Sequence, residues 1–248
     1  MSPQLHNNLS SLRLTWMRDN FDDELADALA RERCHSAFIE RLIQGEVADK
    51  HSRSTERRLR AAKLPFRAAL GEFDFAWPKT INTAVVRSLF TLDFMRDHAN
   101  AVFIGTVGLG KTHLAVALCQ SACERRKNAR FITAAELINE LEAARAGGYL
   151  GHALKRYHRV HLLAIDELGY LPVDKRGAEL LFQVLSGRYE RASTIITTNR
   201  AYKDWTSTFA NDAAMTAAVL DRVVHHCHTV RITGKSRRQH KALLEQEM

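Results

Sequence analysis

The sequence predicts an α/β fold: a parallel sheet flanked by helices and organised around a phosphate-binding loop, with a small all-helical N-terminal domain in front. Three observations predict it. From residue 100 onward, short apolar runs of strand length alternate with longer stretches of helical periodicity. The run Ala101–Ile104 leads directly into Gly105-Thr106-Val107-Gly108-Leu109-Gly110-Lys111-Thr112, which has the Gly-x-x-x-x-Gly-Lys-Ser/Thr spacing. Residues 12–63 contain no proline and repeat apolar side chains at helical spacing.

Residues 1–10 read as a frayed polar start. Leu12, Trp16, Leu25, Leu29, Phe38, Leu42, Ile43 and Val47 then give one apolar side to a helical domain. Acidic residues crowd Asp19–Asp27, and basic residues crowd the stretch after Glu46. Lys50, Arg53, Arg57 and Arg60 are spaced three, four and three residues apart, so on a helix they form one cationic stripe. Such a stripe is either a solvated face or a track for a phosphate backbone. Leu64-Pro65 ends the helix, because the residue before proline disfavours the helical conformation. The boundary at 65–72 divides the chain into a domain of residues 1–67 and one of 68–248. Phe73-Asp74-Phe75-Ala76-Trp77-Pro78 concentrates aromatics that either pack between domains or wall a nucleobase. Residues 81–98 read as a helix leading to the first strand.

The loop's residue types follow from its chemistry. A triphosphate needs backbone N–H groups around it with no side chains in the way, and Gly105, Gly108 and Gly110 are expected to supply positive φ. Lys111 reaches the β- and γ-phosphates as a point charge, Thr112 offers a hydroxyl to Mg²⁺, and the helix 113–127 aims its positive N-terminal dipole at the phosphates.

A second strand is expected at Ala129–Thr133, helices at Ala134–Arg145 and Leu150–Tyr157, the latter carrying Lys155 and Arg156, and a buried central strand at Val160–Ile165. That strand ends in Asp166-Glu167, where ligands meet an open α/β sheet. Asp166 would hold Mg²⁺ and Glu167 would orient and deprotonate water. Helix Lys175–Arg191 follows, then strand Ser193–Thr198 with Asn199 at its end, suited to position water beside a γ-phosphate. Helical stretches at about 201–210 and 212–226 precede a last strand near Thr229–Ile232. His225, His226, Cys227 and His228 invite a metal reading, but neighbours on a helix or strand diverge, so no shared metal is expected.

The formal net charge of +8 favours a polyanionic partner, nucleic acid first. With four cysteines and no Cys-x-x-Cys pair, reduced thiols are expected. No apolar signal core or membrane-length apolar stretch occurs, so a cytoplasmic protein without a membrane partner is expected.

Phe73-Asp74-Phe75, the loop Gly105–Thr112 followed by His113-Leu114-Ala115, the run Leu162–Tyr170, Thr197-Thr198-Asn199, Leu220-Asp221-Arg222-Val223 and Gly234-Lys235-Ser236-Arg237-Arg238 occur in a telling order. Over roughly residues 12–240 the chain resembles IstB-like ATPases, helper proteins of an insertion-sequence family, related to DnaC-type helicase loaders within the AAA+ initiator group. The resemblance implies an AAA+ fold that binds ATP with a Walker A loop at Gly105–Thr112 and a Walker B pair at Asp166 and Glu167. It implies a sensor 1 residue at Asn199, an arginine finger at Arg222 and a sensor 2 arginine at Arg238, with Arg237 adjoining. It also implies a transposase partner, ATP-dependent homo-oligomeric assembly on double-stranded DNA, and DNA-binding helices near Lys155 and Arg156. Such loops commonly read Gly-Pro-Pro-Gly, whereas this one reads Gly105-Thr106-Val107-Gly108, a departure at two variable positions. A DnaC-like helicase loader is the alternative within the same class. A small-molecule kinase would leave the basic helix, Arg222 and Glu167 without a task.

Overall fold

The structure, a computed structural model, describes residues 1–237; Arg238, the expected sensor 2 arginine, lies outside them. The chain divides into two compact units, Met1–Arg57 and a second from Arg58 onward.

The first unit is helical: α1 (Pro3–Ser11), α2 (Thr15–Ala30) and the greater part of α3 (His35–Ala61), within which the division falls. Residues 1–10 are not frayed. Ser2 caps α1 by accepting from the Leu5 N–H at 3.2 Å, Pro3 opens the first turn, and Leu9 is buried. Ser-Pro ahead of a spaced apolar residue is a start signal. Left-handed residues Arg13 (φ 55°) and Glu32 (φ 50°) break the continuous periodicity between helices. Leu42 is buried, but Leu12, Leu29, Ile43 and Val47 are exposed, so the expected apolar side is only partly used. A buried acid, Glu46, sits among them. Its carboxylate accepts from the Met17 N–H at 3.0 Å and lies 3.5 Å from Lys50 Nζ and 3.8 Å from Arg53.

The second unit contains α4 (Thr83–Leu89), β1 (Asn100–Ile104), α5 (Lys111–Glu124), β2 (Ala129–Thr133), α6 (Ala134–Ala146), α7 (Leu150–His158), β3 (Leu162–Leu168), α8 (Lys175–Arg188), β4 (Ser193–Thr198), α9 (Ala213–Val224) and β5 (Cys227–Arg231). The strands pair in parallel in the order β2-β3-β4-β1-β5. Alternate residues serve opposite faces. Ala101, Phe103, Leu162 and Ala164 pack with α4 and α5, while Val102, Ile104, Leu163 and Ile165 pack with α6 to α9. Both faces are covered, which is why these strands read as continuous apolar runs. The helix expected over 81–98 stops at Leu89, because Leu92 turns left-handed (φ 63°). The stretch expected to be helical at 201–210 is a 3₁₀ turn, Tyr202–Ser207.

One side chain that no motif marks holds the far edge of this unit together. Arg188 is 1% exposed and has no acidic partner among the described residues. Its guanidinium donates to the carbonyls of Tyr157 (2.5 Å), Val160 (3.0 Å) and Ser193 (2.5 Å) and to the Thr194 hydroxyl (3.0 Å). It therefore ties the end of α7 to the starts of β3 and β4, replacing water at each donor. Burial pushes its pKa down to about 9, so the group stays charged at neutral pH. All four cysteines are free thiols. Cys119 and Cys123 are buried in the core, and burial pushes both thiol pKa values up. Among the described residues no helix is long and apolar enough to cross a membrane.

Candidate functional site

The loop 105–110 connects β1 to α5. Gly108 (φ 78°) and Gly110 (φ 84°) are left-handed, as a loop wrapping backbone amides around an anion requires. Gly105 serves differently from the expectation. Its φ is not positive; a Cβ there would stand 2.3 Å from the Ile232 carbonyl oxygen, so glycine is needed for the approach of the chain leaving β5. Lys111 opens α5 and is 5% exposed, its Nζ donating to the Thr106 carbonyl at 2.7 Å. The ammonium thus spans the loop that Thr106, Val107 and Leu109 complete.

The strand order sets the rest. β4 lies between β1 and β3, so the loop and the acidic pair stand two strand spacings apart, about 10 Å. Thr112, one residue into α5, crosses that gap, its hydroxyl lying 3.0 and 3.2 Å from the two oxygens of Asp166. From β4, the Thr197 hydroxyl donates to the same carboxylate and accepts from the Glu167 N–H at 3.0 Å. In the sequence Thr197 is marked only as part of the run Thr197-Thr198-Asn199. Its local signal is weak, because Ser193, Thr194 and Thr198 carry hydroxyls in the same strand.

β3 does not end at the acidic pair. It continues to Leu168 through a bulge between Ile165 and Leu168, with Glu167 left-handed at φ 61°. A non-glycine residue in that region stores strain of order 1–3 kcal/mol and persists only where its surroundings enforce it. The bulge separates the two acids: Asp166 is 3% exposed and faces the hydroxyls, while Glu167 is exposed and lines the cavity beside the loop. Asn199 is exposed at the end of β4, directly after Thr198, which pairs with both Ile104 and Leu168.

The cavity measures about 440 Å³. Phe66, Phe73 and Trp77 line one side of it, and the Phe73 ring occupies the space a Cβ on Gly110 would need. The half-buried Phe75 ring packs edge-on against Phe73 and, like it, against the core. The chain after β5 closes over the loop: the Arg237 N–H donates to the Gly108 carbonyl at 3.0 Å, and Trp77 Nε1 donates to the Lys235 carbonyl at 3.0 Å. Arg237 lines the cavity and its guanidinium pairs with Asp74 at 3.5 Å.

The remaining expected residues do not join this site. Arg222 is near the end of α9, 4.7 Å over the Phe182 ring, donating to the Ala218 carbonyl at 2.9 Å. Its own carbonyl accepts from the Asn100 side chain at 3.4 Å, at the start of β1, so its backbone lies by the N-terminal end of that strand, away from the loop at its C-terminal end. In the first unit, Arg53 pairs with Asp49 and Glu46, whereas Arg57 reaches the Ser54 hydroxyl at 3.4 Å. Arg60 belongs to the second unit. Lys155 and Arg156 are exposed on α7, and Arg156 is bonded to Glu140 at 2.8 Å.

Residues 7–244 match the family model described as IstB-like ATP binding protein. The ATP-binding protein of insertion sequence IS5376 from Geobacillus stearothermophilus is 33% identical over 247 residues, covering 100% of this chain and 98% of that one. Its counterpart from insertion sequence IS232 of Bacillus thuringiensis subsp. berliner is 35% identical over 235 residues, covering 95% of this chain and 94% of that one. Among solved structures, the DnaC helicase loader is similar with a TM-score of 0.56 at 23% identity, over 67% of this chain and 97% of that one, a likeness of fold. A phosphate loop, an acidic pair bridged by threonine and a match along nearly the whole sequence agree: this chain belongs to the IstB-like ATP-binding proteins of insertion sequences, with an AAA+ α/β fold.

Proposed function

We propose that this protein is a Mg²⁺-dependent ATP hydrolase that assembles with copies of itself on duplex DNA in its ATP-bound state and assists the transposase of its insertion sequence. One observation carries the hydrolytic part: Thr112, Asp166, Thr197 and Glu167 converge beside the loop. Thr112 and Asp166 are hard oxygen donors at the α5 N-terminus, a set that fits Mg²⁺. Bound there, the ion would neutralise charge developing on the phosphates. Lys111 and the loop amides bind and orient the triphosphate, Glu167 takes the proton of the attacking water, and Asn199 holds that water in line. Thr197 fixes both acids in place. Phe66, Phe73 and Trp77 form an apolar wall for the base, and Arg237, which lines the cavity, is the candidate sensor 2 arginine among the described residues.

Arg222 supports assembly. It is absent from the cavity lining, and its backbone carbonyl contacts Asn100 at the start of β1, one strand length, about 13 Å, from the loop that follows β1. That placement supports a role as an arginine finger acting on the nucleotide of a neighbouring subunit. Arg222→Ala will therefore lower turnover and leave ATP binding intact. Mixing it in equal amounts with Glu167→Gln protein will restore turnover at about one site in four, those that combine an intact acid with an intact neighbouring arginine. Absence of rescue at any ratio would assign Arg222 a structural role.

DNA binding rests on the net charge, on Lys50, Arg53, Arg57 and Arg60, and on Lys155 and Arg156. The full-length likeness to insertion-sequence proteins favours this reading over a helicase loader, which is matched in fold alone. Phosphate contacts position without reading bases, so binding will be nearly independent of sequence and steeply salt-dependent. Salt titration on two unrelated duplexes tests it. Arg57→Ala will reduce the log–log slope by roughly 0.9 on both. Arg53→Ala will reduce it by less, because Asp49 and Glu46 already share that charge. An unchanged slope in both variants would leave the stripe a solvated face. Turnover stimulated by duplex DNA and not by small metabolites separates this function from a kinase.

A further inference from the structure

The adjacent histidines that the sequence sets apart are brought together by the fold. α9 ends at Val224 and β5 begins at Cys227, so His225 and His226 occupy the turn between them, where neighbours need not diverge. Their rings lie 4.2 Å apart, centre to centre. Glu190, left-handed at φ 55° in the turn after α8, is directed at the same point, and one donor atom from each of the three residues lies within 4.8 Å of the others. We propose that Glu190, His225 and His226 form a binding site for a divalent transition-metal ion of the zinc class.

The supports around the trio are those a metal site needs. The Tyr189 hydroxyl lies 2.8 Å from His225 Nδ1. In the tautomer whose Nδ1–H donates to the phenol oxygen, the lone pair is on Nε2, which is how outer partners orient ligating imidazoles. The His226 backbone is fixed by its carbonyl, which accepts from the Asn100 N–H at 2.7 Å, and the His225 N–H donates to the Asp221 backbone carbonyl at 3.2 Å. Two imidazoles and a carboxylate suit Zn²⁺ and its transition-metal neighbours, not Mg²⁺ or Ca²⁺, which take oxygen ligands. Ligand bonds of about 2.0–2.2 Å require the donors to close by about 1 Å, which rotation of exposed side chains provides. Three protein ligands leave a fourth position for water. The site is independent of the nucleotide cavity, since Asn100 opens β1 and the phosphate loop follows its other end. A bound ion would clamp the end of α9 to the turn after α8, one helical turn beyond Arg222.

The test uses the full chain, tag-free and stripped with a chelator, without nucleotide, titrated with Zn²⁺ against a zinc indicator. One equivalent will bind with micromolar or tighter affinity and raise the melting temperature, and millimolar Mg²⁺ will not compete. His226→Ala and Glu190→Gln, at exposed positions outside the ATP site, will each weaken Zn²⁺ at least tenfold and leave ATP affinity unchanged. Absence of any equivalent bound more tightly than about 100 μM would overturn the proposal. Wild-type affinity in both variants would do the same, placing the ion on others of the twelve histidines.

Discussion

Lys111→Ala protein will not bind ATP at concentrations that saturate the wild type. Lys111 is nearly buried at the first turn of α5, and its ammonium already bridges the loop to the Thr106 carbonyl. When a triphosphate enters, that weak internal acceptor is exchanged for β- and γ-phosphate oxygens, giving charge-assisted bonds about twice as strong as neutral ones. Truncation leaves several negative charges facing backbone amides with no counter-charge. The cost of removing one partner of a buried charge pair, about 2–5 kcal/mol, corresponds to a loss of roughly 30- to 5,000-fold in affinity. Titration with a fluorescent ATP analogue measures it, with circular dichroism as the check on folding. An affinity within twofold of wild type would remove the loop from the nucleotide site.

Glu167→Gln separates binding from chemistry. The substitution preserves shape and the backbone bond to Thr197, so the left-handed bulge and the orientation of Asp166 are retained. The amide cannot take a proton. Mg²⁺-ATP affinity will stay close to wild type, while single-turnover hydrolysis falls by about 10²–10⁴-fold, the range for loss of a general base. If hydrolysis ends the assembly, the variant will also stay on duplex DNA longer in ATP, measured as dissociation from an immobilised duplex. Shorter residence would reverse the order of events. Unaltered hydrolysis would exclude Glu167 as the base.

The amino-acid sequence by itself determined the local chemistry and most of the elements. The spacing from Gly105 to Thr112, the apolar strands that continue without alternation, and Asp166-Glu167 after Ile165 are local patterns, and local patterns survive in one dimension. The same holds for the strands at Ala129–Thr133 and Ser193–Thr198. The structure departs from these patterns where short-range signals compete. Ser2-Pro3 capped a helix inside what looked like a polar tail, and Leu92 adopted a left-handed conformation that periodicity does not encode.

The tertiary structure decided what depends on pairing between distant segments. Strand order is a choice among registers that leave similar apolar faces buried, and only the placement of β4 between β1 and β3 made Thr197 the bridge between two acids. Gly105 is needed because Ile232, far along the chain, passes against it. Arg188 serves as a buried clamp because the ends of α7, β3 and β4 present their carbonyls at one point, an arrangement no run of residues records. Lys50 and Arg53 form a stripe in register, yet burial of Glu46 beneath them partly compensates their charge. The turn between α9 and β5 brings His225 and His226 to Glu190, because a chain reversal releases adjacent side chains from the divergence that a regular helix or strand imposes.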